Sequence, residues 1–162
     1  MVICFLGIGS NIDDRLSNLN KSVDLISDDL NIKFIQVSNF YESLPMYNLN
    51  LNTFLNGVIK ISTSYTPSQL LSKVKNIEAE MGREKSVERY ENRIIDIDIL
   101  CCENQIIESS KLTLPHPNIK ERKFVLEPWC DIDSNYIIVN ENRKVKELLA
   151  LLPDSSKLRK VN

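Results

Sequence analysis

Asp96 and Asp98 stand one residue apart in an otherwise apolar segment of the chain. The pattern has a period of two and predicts a strand from Ile94 onward, with the aspartates on one face and four apolar residues on the other, Ile95, Ile97, Ile99 and Cys101. Alternate side chains on a strand lie about 6.5 Å apart, so the two carboxylates can share one metal ion or two neighbouring ions. Oxygen ligands of this kind suit Mg²⁺, which completes its shell with water and substrate phosphate.

The segment directly before this strand is rich in cations. It contains Arg83, Lys85, Arg89 and Arg93, interleaved with three glutamates. Arginine offers a planar fork to phosphate oxygens, so cations beside a carboxylate pair indicate a site for a polyphosphate that carries Mg²⁺. An edge strand with one solvated face, preceded by a solvated charged loop, would produce the same pattern.

Length and composition limit the classes of function. The 162 residues predict one free-standing domain over 1–162, and 43% hydrophobic with 26% charged residues is typical of a soluble globular protein. A net charge of −2 argues against binding nucleic acid through bulk electrostatics. The chain lacks an apolar run near the roughly 18 residues of a membrane span, and its apolar start resembles a strand more than a signal peptide. We therefore expect a cytoplasmic protein.

The cysteines Cys4, Cys101, Cys102 and Cys130 form no Cys-x-x-Cys pair, and His116 is the one histidine. This spacing does not fit a zinc site. We expect buried, reduced thiols of a cytosolic protein, with the adjacent Cys101 and Cys102 on opposite sides of a strand.

Periodicity and turn residues predict the order β-α-β-β-α-β. Strands are expected over 2–8, 32–41, 54–62 and from 94, with Gly57 as a bulge or a close approach. The first helix follows Ser10 or Asn11 as its cap, and the second is capped by Thr66 and ended by Gly82. Gly7 and Gly9 are interpreted as a tight turn, because the third glycine of a dinucleotide fingerprint and the phosphate loop are both missing.

Weaker elements are expected after this core. They are a strand over 105–107, an extended segment over 112–117, a short helix from Asn118 through Phe124, a strand over 135–139, a helix over 145–152 and a frayed tail after Pro153. The whole order predicts an α+β protein with a ferredoxin-like βαββαβ core, in which both helices pack on one face of an antiparallel sheet, plus C-terminal additions. This fold supports many activities, so function depends on the site.

Four motifs together carry a family resemblance: Gly7-Ile-Gly-Ser-Asn11, Phe54-Leu-Asn56, Arg93-x-x-Asp96-x-Asp98-Ile-Leu and Leu114-Pro-His116. In this order they resemble the 6-hydroxymethyl-7,8-dihydropterin pyrophosphokinase family of folate biosynthesis, over nearly the whole chain. The resemblance implies transfer of the β and γ phosphates of ATP, as one unit, to the hydroxymethyl oxygen of the dihydropterin, with release of AMP. It also implies two Mg²⁺ ions, with ATP and the dihydropterin as small-molecule substrates. We further expect a monomer that binds neither nucleic acid nor membrane.

The same resemblance assigns residues to roles. The catalytic group is Arg83, Arg93, Asp96 and Asp98, of which Asp96 and Asp98 are the metal ligands. The ATP-binding group is Glu78, Lys85, Arg93, Ile99, Lys111, Thr113, His116 and Arg122. The pterin-binding group is Ser43, Leu44, Met46, Phe54, Asn56, Tyr90, Asp96 and Phe124. An asparagine amide suits the mixed donor and acceptor edge of a pterin, and an aromatic face suits its flat ring.

The chain departs from the family pattern mainly in its loops. Lys85 and Lys111 replace arginines, Tyr90 replaces a common tryptophan, and differences also occur at 43–44, 91–92 and 117. We expect the charged segment to close over ATP and exclude water. Two other functions remain open on these residues: a non-catalytic ferredoxin-like ligand-binding module, and a Mg²⁺-dependent phosphohydrolase that uses the same aspartates.

Overall fold

The structure, a computed structural model, describes residues 1–83, 91–153 and 158–161. Lys85, Arg89 and Tyr90 lie outside the described residues, so the roles predicted for them and the predicted closure of the charged segment are not tested. The strands are β1 (Val2–Ser10), β2 (Ile32–Val37), β3 (Phe40–Ser43), β4 (Phe54–Thr63), β5 (Asp96–Cys102), β6 (Ile107–Glu108), β7 (Thr113–Leu114), β8 (Ile137–Ile138), β9 (Arg143–Lys144) and β10 (Arg159–Val161). The helices are α1 (Arg15–Ser27), α2 (Pro67–Glu80), α3 (Lys123–Asp133) and α4 (Val145–Ala150), with a 3₁₀ turn at Ile119–Glu121.

A six-stranded antiparallel sheet forms the centre of the described part of the molecule. β1 lies between β4 and β5, and the far side of β4 pairs with β3 along one half and with β2 along the other. The apolar residues of α1 and α2, including Leu19, Val74 and Ile77, pack on one face of this sheet. Trp129 of α3 packs on the opposite face against Phe5, with ring centroids 4.7 Å apart. The mixed helix and antiparallel sheet architecture was therefore predicted correctly.

The strand predicted over 32–41 is two strands, β2 and β3. The chain breaks its ladder at Ser38, whose Oγ accepts a hydrogen bond from the Val58 backbone N–H at 2.9 Å. A Cβ on Gly57 would lie 2.7 Å from the ring of Phe40. Gly57 thus permits a close approach of the Phe40 ring, which agrees with one of the two predicted alternatives, a bulge or a close approach.

The two main helices differ in how well their starts were predicted. α1 is capped by Asp14, which accepts a hydrogen bond from Ser17 N, and the prediction of Ser10 or Asn11 was wrong because β1 continues through Ser10. α2 is capped by Thr66, as its sequence predicted, and Gln69 completes a capping box that was not predicted. It ends before Gly82, whose φ of +94° favours glycine.

The alternation of β5 is broken near its end. Leu6 faces Ile99 and Phe5 faces Cys101 across the sheet, so Leu100 is an extra residue in β5. This bulge turns Cys101 to the side of Trp129, whereas Ile95, Ile97 and Ile99 lie on the other side. The prediction that Cys101 shares a face with these isoleucines was wrong.

The cysteine prediction was wrong for one pair. Cys4 and Cys102 lie directly opposite each other on β1 and β5 and form a disulfide, although 98 residues separate them in sequence. Cys101 and Cys130 are free, and burial raises the pKa of Cys101 to about 12. Local spacing contained no signal for the disulfide, because the register of two strands brings the sulfurs together.

The C-terminal part also differs from expectation. The helix predicted from Asn118 through Phe124 is a 3₁₀ turn followed by α3, and residues 159–161 are not frayed but form β10 on the edge of β3. None of the helices in the described residues has both the length and the apolar character needed to cross a membrane.

Candidate active site

The two aspartates lie in rows of residues that run across the sheet. Asp96 faces Gly9 of β1, and Gly9 faces Asn56 of β4, while Asp98 faces Gly7. Neighbouring strands lie about 4.8 Å apart, so Asp96 and Asn56 are about 10 Å apart with only a glycine between them. The tight turn predicted for Gly7 and Gly9 was wrong: both lie within β1 and leave open space above the sheet.

Asp96 is held by two arginines. Arg83 Nη1 donates to Oδ1 at 2.7 Å, and Arg93 Nη1 donates to Oδ2 at 3.2 Å. Burial alone would raise the pKa of Asp96, but the guanidinium groups of Arg93 and Arg83 hold it below its usual value. Asp96 therefore remains ionised at neutral pH and acts as a fixed negative charge.

Asp98 faces a second pair of basic side chains. Arg122 Nη1 donates to Asp98 Oδ2 at 3.0 Å, and Nε2 of His116 lies 4.0 Å from the same oxygen. Burial, followed by the charge of Arg122, lowers the pKa of His116, and Asp98 offsets only part of this effect. His116 is thus mainly neutral at pH 7 and can both donate and accept hydrogen bonds.

Glu78 connects α2 to this part of the sheet, and it is only 3% exposed. Its Oε1 accepts hydrogen bonds from Ile97 N at 2.7 Å and from Arg83 Nη1 at 2.7 Å, and both of its oxygens lie 3.0 Å from Lys75 Nζ. Burial raises the pKa of Glu78. The two cations and the Ile97 N–H lower it, but they do not cancel the effect of burial. Arg83 contacts the carboxylates of both Glu78 and Asp96, so Glu78 is linked to Asp96 through this arginine.

We expect Glu78→Ala to lower the free energy of unfolding by about 2 kcal/mol, because the buried N–H of Ile97 would lose its acceptor. Urea denaturation followed by circular dichroism measures this change. Glu78→Gln is the matched control, since its amide oxygen can still accept from Ile97, and it should recover most of the loss. A Glu78→Ala protein as stable as the wild type would contradict this role.

A first cavity of about 320 Å³ opens above the sheet. Its polar end contains Asn56, which is 5% exposed and donates through Nδ2 to Ser43 Oγ at 2.9 Å. Two aromatic rings that line the cavity each lie next to an arginine. Arg93 Cζ lies 5.9 Å from the Phe54 ring centroid, and Arg122 Cζ lies 5.8 Å from the Phe124 ring centroid. The cavity brings together every described residue predicted to bind the pterin, namely Ser43, Leu44, Met46, Phe54, Asn56, Asp96 and Phe124.

A second cavity of about 280 Å³ adjoins the first. It is lined by four of the residues predicted to bind ATP, which are Ile99, Lys111, Thr113 and His116. Arg93 and Arg122 line the first cavity instead, and Glu78 lines neither of the two. Three side chains, Lys75, Asp98 and His116, line both cavities, so the metal-ligand candidate Asp98 stands at their junction.

Asp98 at this junction and Asp96 beside it fit Mg²⁺ by their chemistry. Among the described residues no group of three or more His, Cys, Asp or Glu side chains is arranged to hold a metal ion. Asp96 and Asp98 supply hard oxygen donors, and their side chains are 27% and 32% exposed. Mg²⁺ commonly takes one or two protein carboxylates and completes its shell with phosphate and water, so this pair suits an ion that arrives with a nucleotide.

Several residues of the site were not predicted from the sequence. Lys75 lines both cavities and lies on the same face of α2 as Glu78, three residues later, so helical spacing could have indicated it. Tyr47 lines the first cavity, with Arg122 Cζ 6.0 Å from its ring centroid. No sequence signal indicated Tyr47, because its place depends on the path of the loop between β3 and β4.

Comparison with known proteins identifies the family of the chain. Residues 5–134 match the family model described as 7,8-dihydro-6-hydroxymethylpterin-pyrophosphokinase. The chain is 36% identical over 147 residues to the 2-amino-4-hydroxy-6-hydroxymethyldihydropteridine pyrophosphokinase of Aquifex aeolicus, which covers 91% of this chain and 90% of that protein. It is also 36% identical over 151 residues to the folic acid synthesis protein fol1 of Schizosaccharomyces pombe, which covers 93% of this chain. The chain spans only 20% of the length of that protein.

The fold has a solved counterpart. The HPPK-DHPS of Plasmodium falciparum, crystallised with pteroate, superimposes with a TM-score of 0.74 and 17% identity, covering 92% of this chain and 42% of that one. At 17% identity this superposition shows that the fold is shared and shows nothing about function. The family is shown by two findings: the family model matches most of the chain, and the chain is 36% identical to the Aquifex protein. The chain belongs to the 7,8-dihydro-6-hydroxymethylpterin-pyrophosphokinase (HPPK) family.

Proposed function

We propose that this chain transfers the pyrophosphoryl group of ATP to the hydroxymethyl oxygen of 6-hydroxymethyl-7,8-dihydropterin, a step of folate biosynthesis that releases AMP. The observation that carries the proposal is the junction of two cavities at Asp98 and His116. One cavity offers a buried amide and aromatic walls, which suit a flat pterin, and the other adjoins cations, which suit a nucleotide triphosphate.

The proposed reaction makes one bond and breaks one. The hydroxymethyl oxygen attacks the β phosphorus of ATP and releases its proton to water, and the bond from that phosphorus to the oxygen bridging to the α phosphate breaks. AMP leaves with the bridging oxygen. Phosphoryl-type transfer depends mainly on alignment and on neutralisation of charge, and little covalent chemistry is required of the protein.

The residues divide this work between them. Asn56, Ser43, Phe54 and Phe124 orient the pterin, and Arg83, Arg93 and Arg122 place positive charge around the transferred phosphates. Because the pKa of Asp96 is held low, this carboxylate is a weak base and serves to orient and to balance charge. Asp96 and Asp98 would hold two Mg²⁺ ions, which supply neutralisation of the triphosphate when bound.

The strand order and antiparallel pairing support the ferredoxin-like assignment of the βαββαβ core, with α3, α4 and β10 as C-terminal additions. We further propose that the enzyme acts as a monomer. We infer that residues 1–162 act as one domain on small-molecule substrates in the cytoplasm.

The test is an assay with ATP, Mg²⁺ and 6-hydroxymethyl-7,8-dihydropterin in which AMP is separated from ADP. We expect AMP and the diphosphorylated pterin in equal amounts. ADP would mean ordinary kinase chemistry, and phosphate released without the pterin would mean a phosphohydrolase. Pterin binding without turnover would mean a non-catalytic binding module, so each competing function gives its own result.

We expect the substitution Gly9→Ala to weaken binding of the pterin. A Cβ at Gly9 would lie 3.1 Å from Asn56 Oδ1 and would intrude between Asn56 and Asp96. We expect the KM for the pterin to rise about tenfold, with a smaller change in the KM for ATP, because overpacking costs roughly 1–3 kcal/mol. Steady-state kinetics with each substrate varied measures the difference. An unchanged KM for the pterin would show that the space above Gly9 is not used.

A further inference from the structure

Asn11 joins segments from three parts of the chain beside the proposed site. Its side chain is buried, and the residue is 1% exposed. Oδ1 accepts a hydrogen bond from Arg93 N at 2.6 Å, and Asn11 N donates to Arg93 O at 3.2 Å. Nδ2 donates to Asn92 Oδ1 at 2.7 Å and to Asn52 O at 3.3 Å. One side chain thus holds both the backbone of Arg93 and the loop between β3 and β4.

Asn92 completes the network. Its Oδ1 accepts a second hydrogen bond, from Asn52 N at 3.1 Å. Asn52 lies near the end of the loop over 44–53, and Leu44, Met46 and Tyr47 of this loop line the first cavity. The network therefore connects a wall of the pterin cavity to the backbone of the arginine that contacts Asp96.

The position of Asn11 explains why an amide is needed there. β1 and β5 are last paired at Gly9 and Asp96, and Asn11 follows the end of β1. Beyond that pair, the side-chain oxygen of Asn11 accepts the hydrogen bond of Arg93 N, which a backbone carbonyl would accept if the strand pairing continued. The NH₂ group of Asn11 donates to Asn52 O in the loop over 44–53. Aspartate is the same size but can only accept, and alanine can do neither.

We propose that Asn11 is a positioning residue that couples the loop over 44–53 to the orientation of Arg93. The role rests on the proposed pyrophosphoryl transfer, in which that loop covers the pterin and Arg93 faces the phosphates. Asn11 lines neither of the two cavities. It acts through the backbone of Arg93 and through Asn52 and Asn92, so that an ordered pterin loop and a correctly placed arginine occur together.

Four variants separate the two halves of this coupling. Asn11→Ala loses both halves, whereas Asn11→Asp keeps the acceptor for Arg93 N and loses the donor to the loop. Asn92→Ala removes the shared acceptor and leaves the bond between Asn11 and Arg93. Arg15→Ala is the matched control, because Arg15 donates to Thr53 O at 3.0 Å and to Thr53 Oγ1 at 2.9 Å, and so holds the same loop independently of Arg93.

Steady-state kinetics should divide these variants into two classes. Asn11→Ala should lower kcat about tenfold and raise the KM for the pterin by a similar factor, the size expected from lost hydrogen bonds. Asn11→Asp, Asn92→Ala and Arg15→Ala should raise the KM for the pterin and leave kcat within about threefold of the wild type. If Arg15→Ala lowers kcat as much as Asn11→Ala does, the loop alone is responsible and the proposal is wrong.

Hydrogen exchange of single amides, measured by NMR without substrates, provides a readout independent of activity. The Arg93 amide should exchange faster in Asn11→Ala and remain protected in Asn11→Asp, while the Asn52 amide should exchange faster in both. Equal protection of the Arg93 amide in Asn11→Ala and in the wild type would overturn the proposal. A wild type that forms no AMP but shows this exchange pattern would reject the proposed function and keep the positioning role. Should Asn11→Ala fail to fold, Asn11→Asp and Asn92→Ala give the same decision through the Asn52 amide and the KM for the pterin.

Discussion

Asp98→Ala should reduce AMP formation by about a thousandfold or more while leaving the fold intact. Asp98 stands at the junction of the two cavities, where it lines both and accepts a hydrogen bond from Arg122. Without this carboxylate the site would lose half of the donor pair that suits Mg²⁺, and with it the ions proposed to hold the triphosphate. The side chain is 32% exposed, so its removal should change the free energy of unfolding by less than about 1 kcal/mol.

The measurement is the AMP assay at saturating ATP and pterin, combined with thermal unfolding of both proteins. Asp24→Ala, an exposed position on α1, is the matched control for loss of an aspartate and should retain wild-type activity. Asp98→Asn keeps the size and one oxygen but loses the charge, and we expect it to remain severely impaired. Normal AMP release by Asp98→Ala would refute the metal-binding role of Asp98.

Arg93→Ala should lower kcat about a hundredfold or more, with a smaller change in the KM for ATP. Arg93 contacts Asp96 through Nη1, its guanidinium lies over the Phe54 ring, and it lines the cavity proposed to bind the pterin. A cation there is most valuable when charge builds up on the transferred phosphates, which makes its contribution greater in the transition state than in the bound substrate.

Arg93→Lys is the informative companion. Lysine keeps the charge but loses the planar fork, so kcat should recover only in part. Arg143→Ala, an exposed position on β9, serves as the control for loss of an arginine. Unchanged turnover in Arg93→Ala would mean that this arginine is merely solvated and that the charge of Arg83 is sufficient.

Local patterns predicted those parts of the fold that depend on neighbours in sequence. The cap of α2 at Thr66, the glycine end of α2 at Gly82 and the alternation of Asp96 and Asp98 with isoleucines are all decided within a few residues. The motif resemblance added the residues predicted to bind the pterin and the nucleotide. Those that the structure describes lie around two adjoining cavities, apart from the buried Glu78.

Long-range register decided what these patterns could not. The bulge at Leu100 turns Cys101 to the other face, and the pairing of β1 with β5 brings Cys4 against Cys102. The interpretation of Gly7 and Gly9 as a turn failed for the same reason, since their use becomes visible only when Asp98 and Asp96 lie opposite them. Such contacts join residues far apart in sequence, and no local signal encodes them.

The sequence by itself determined the identities of the groups in the site: a carboxylate pair on one face of a strand, arginines before it, and an asparagine on another strand. Only the tertiary structure decided their common position, with Asp96, Gly9 and Asn56 in one row across three strands. It also decided the partners, such as Glu78 for Ile97 N and Asn11 for Arg93. The physical reason is that side-chain type and periodicity are local properties, whereas the position and partners of a charge depend on which distant segments pack beside it.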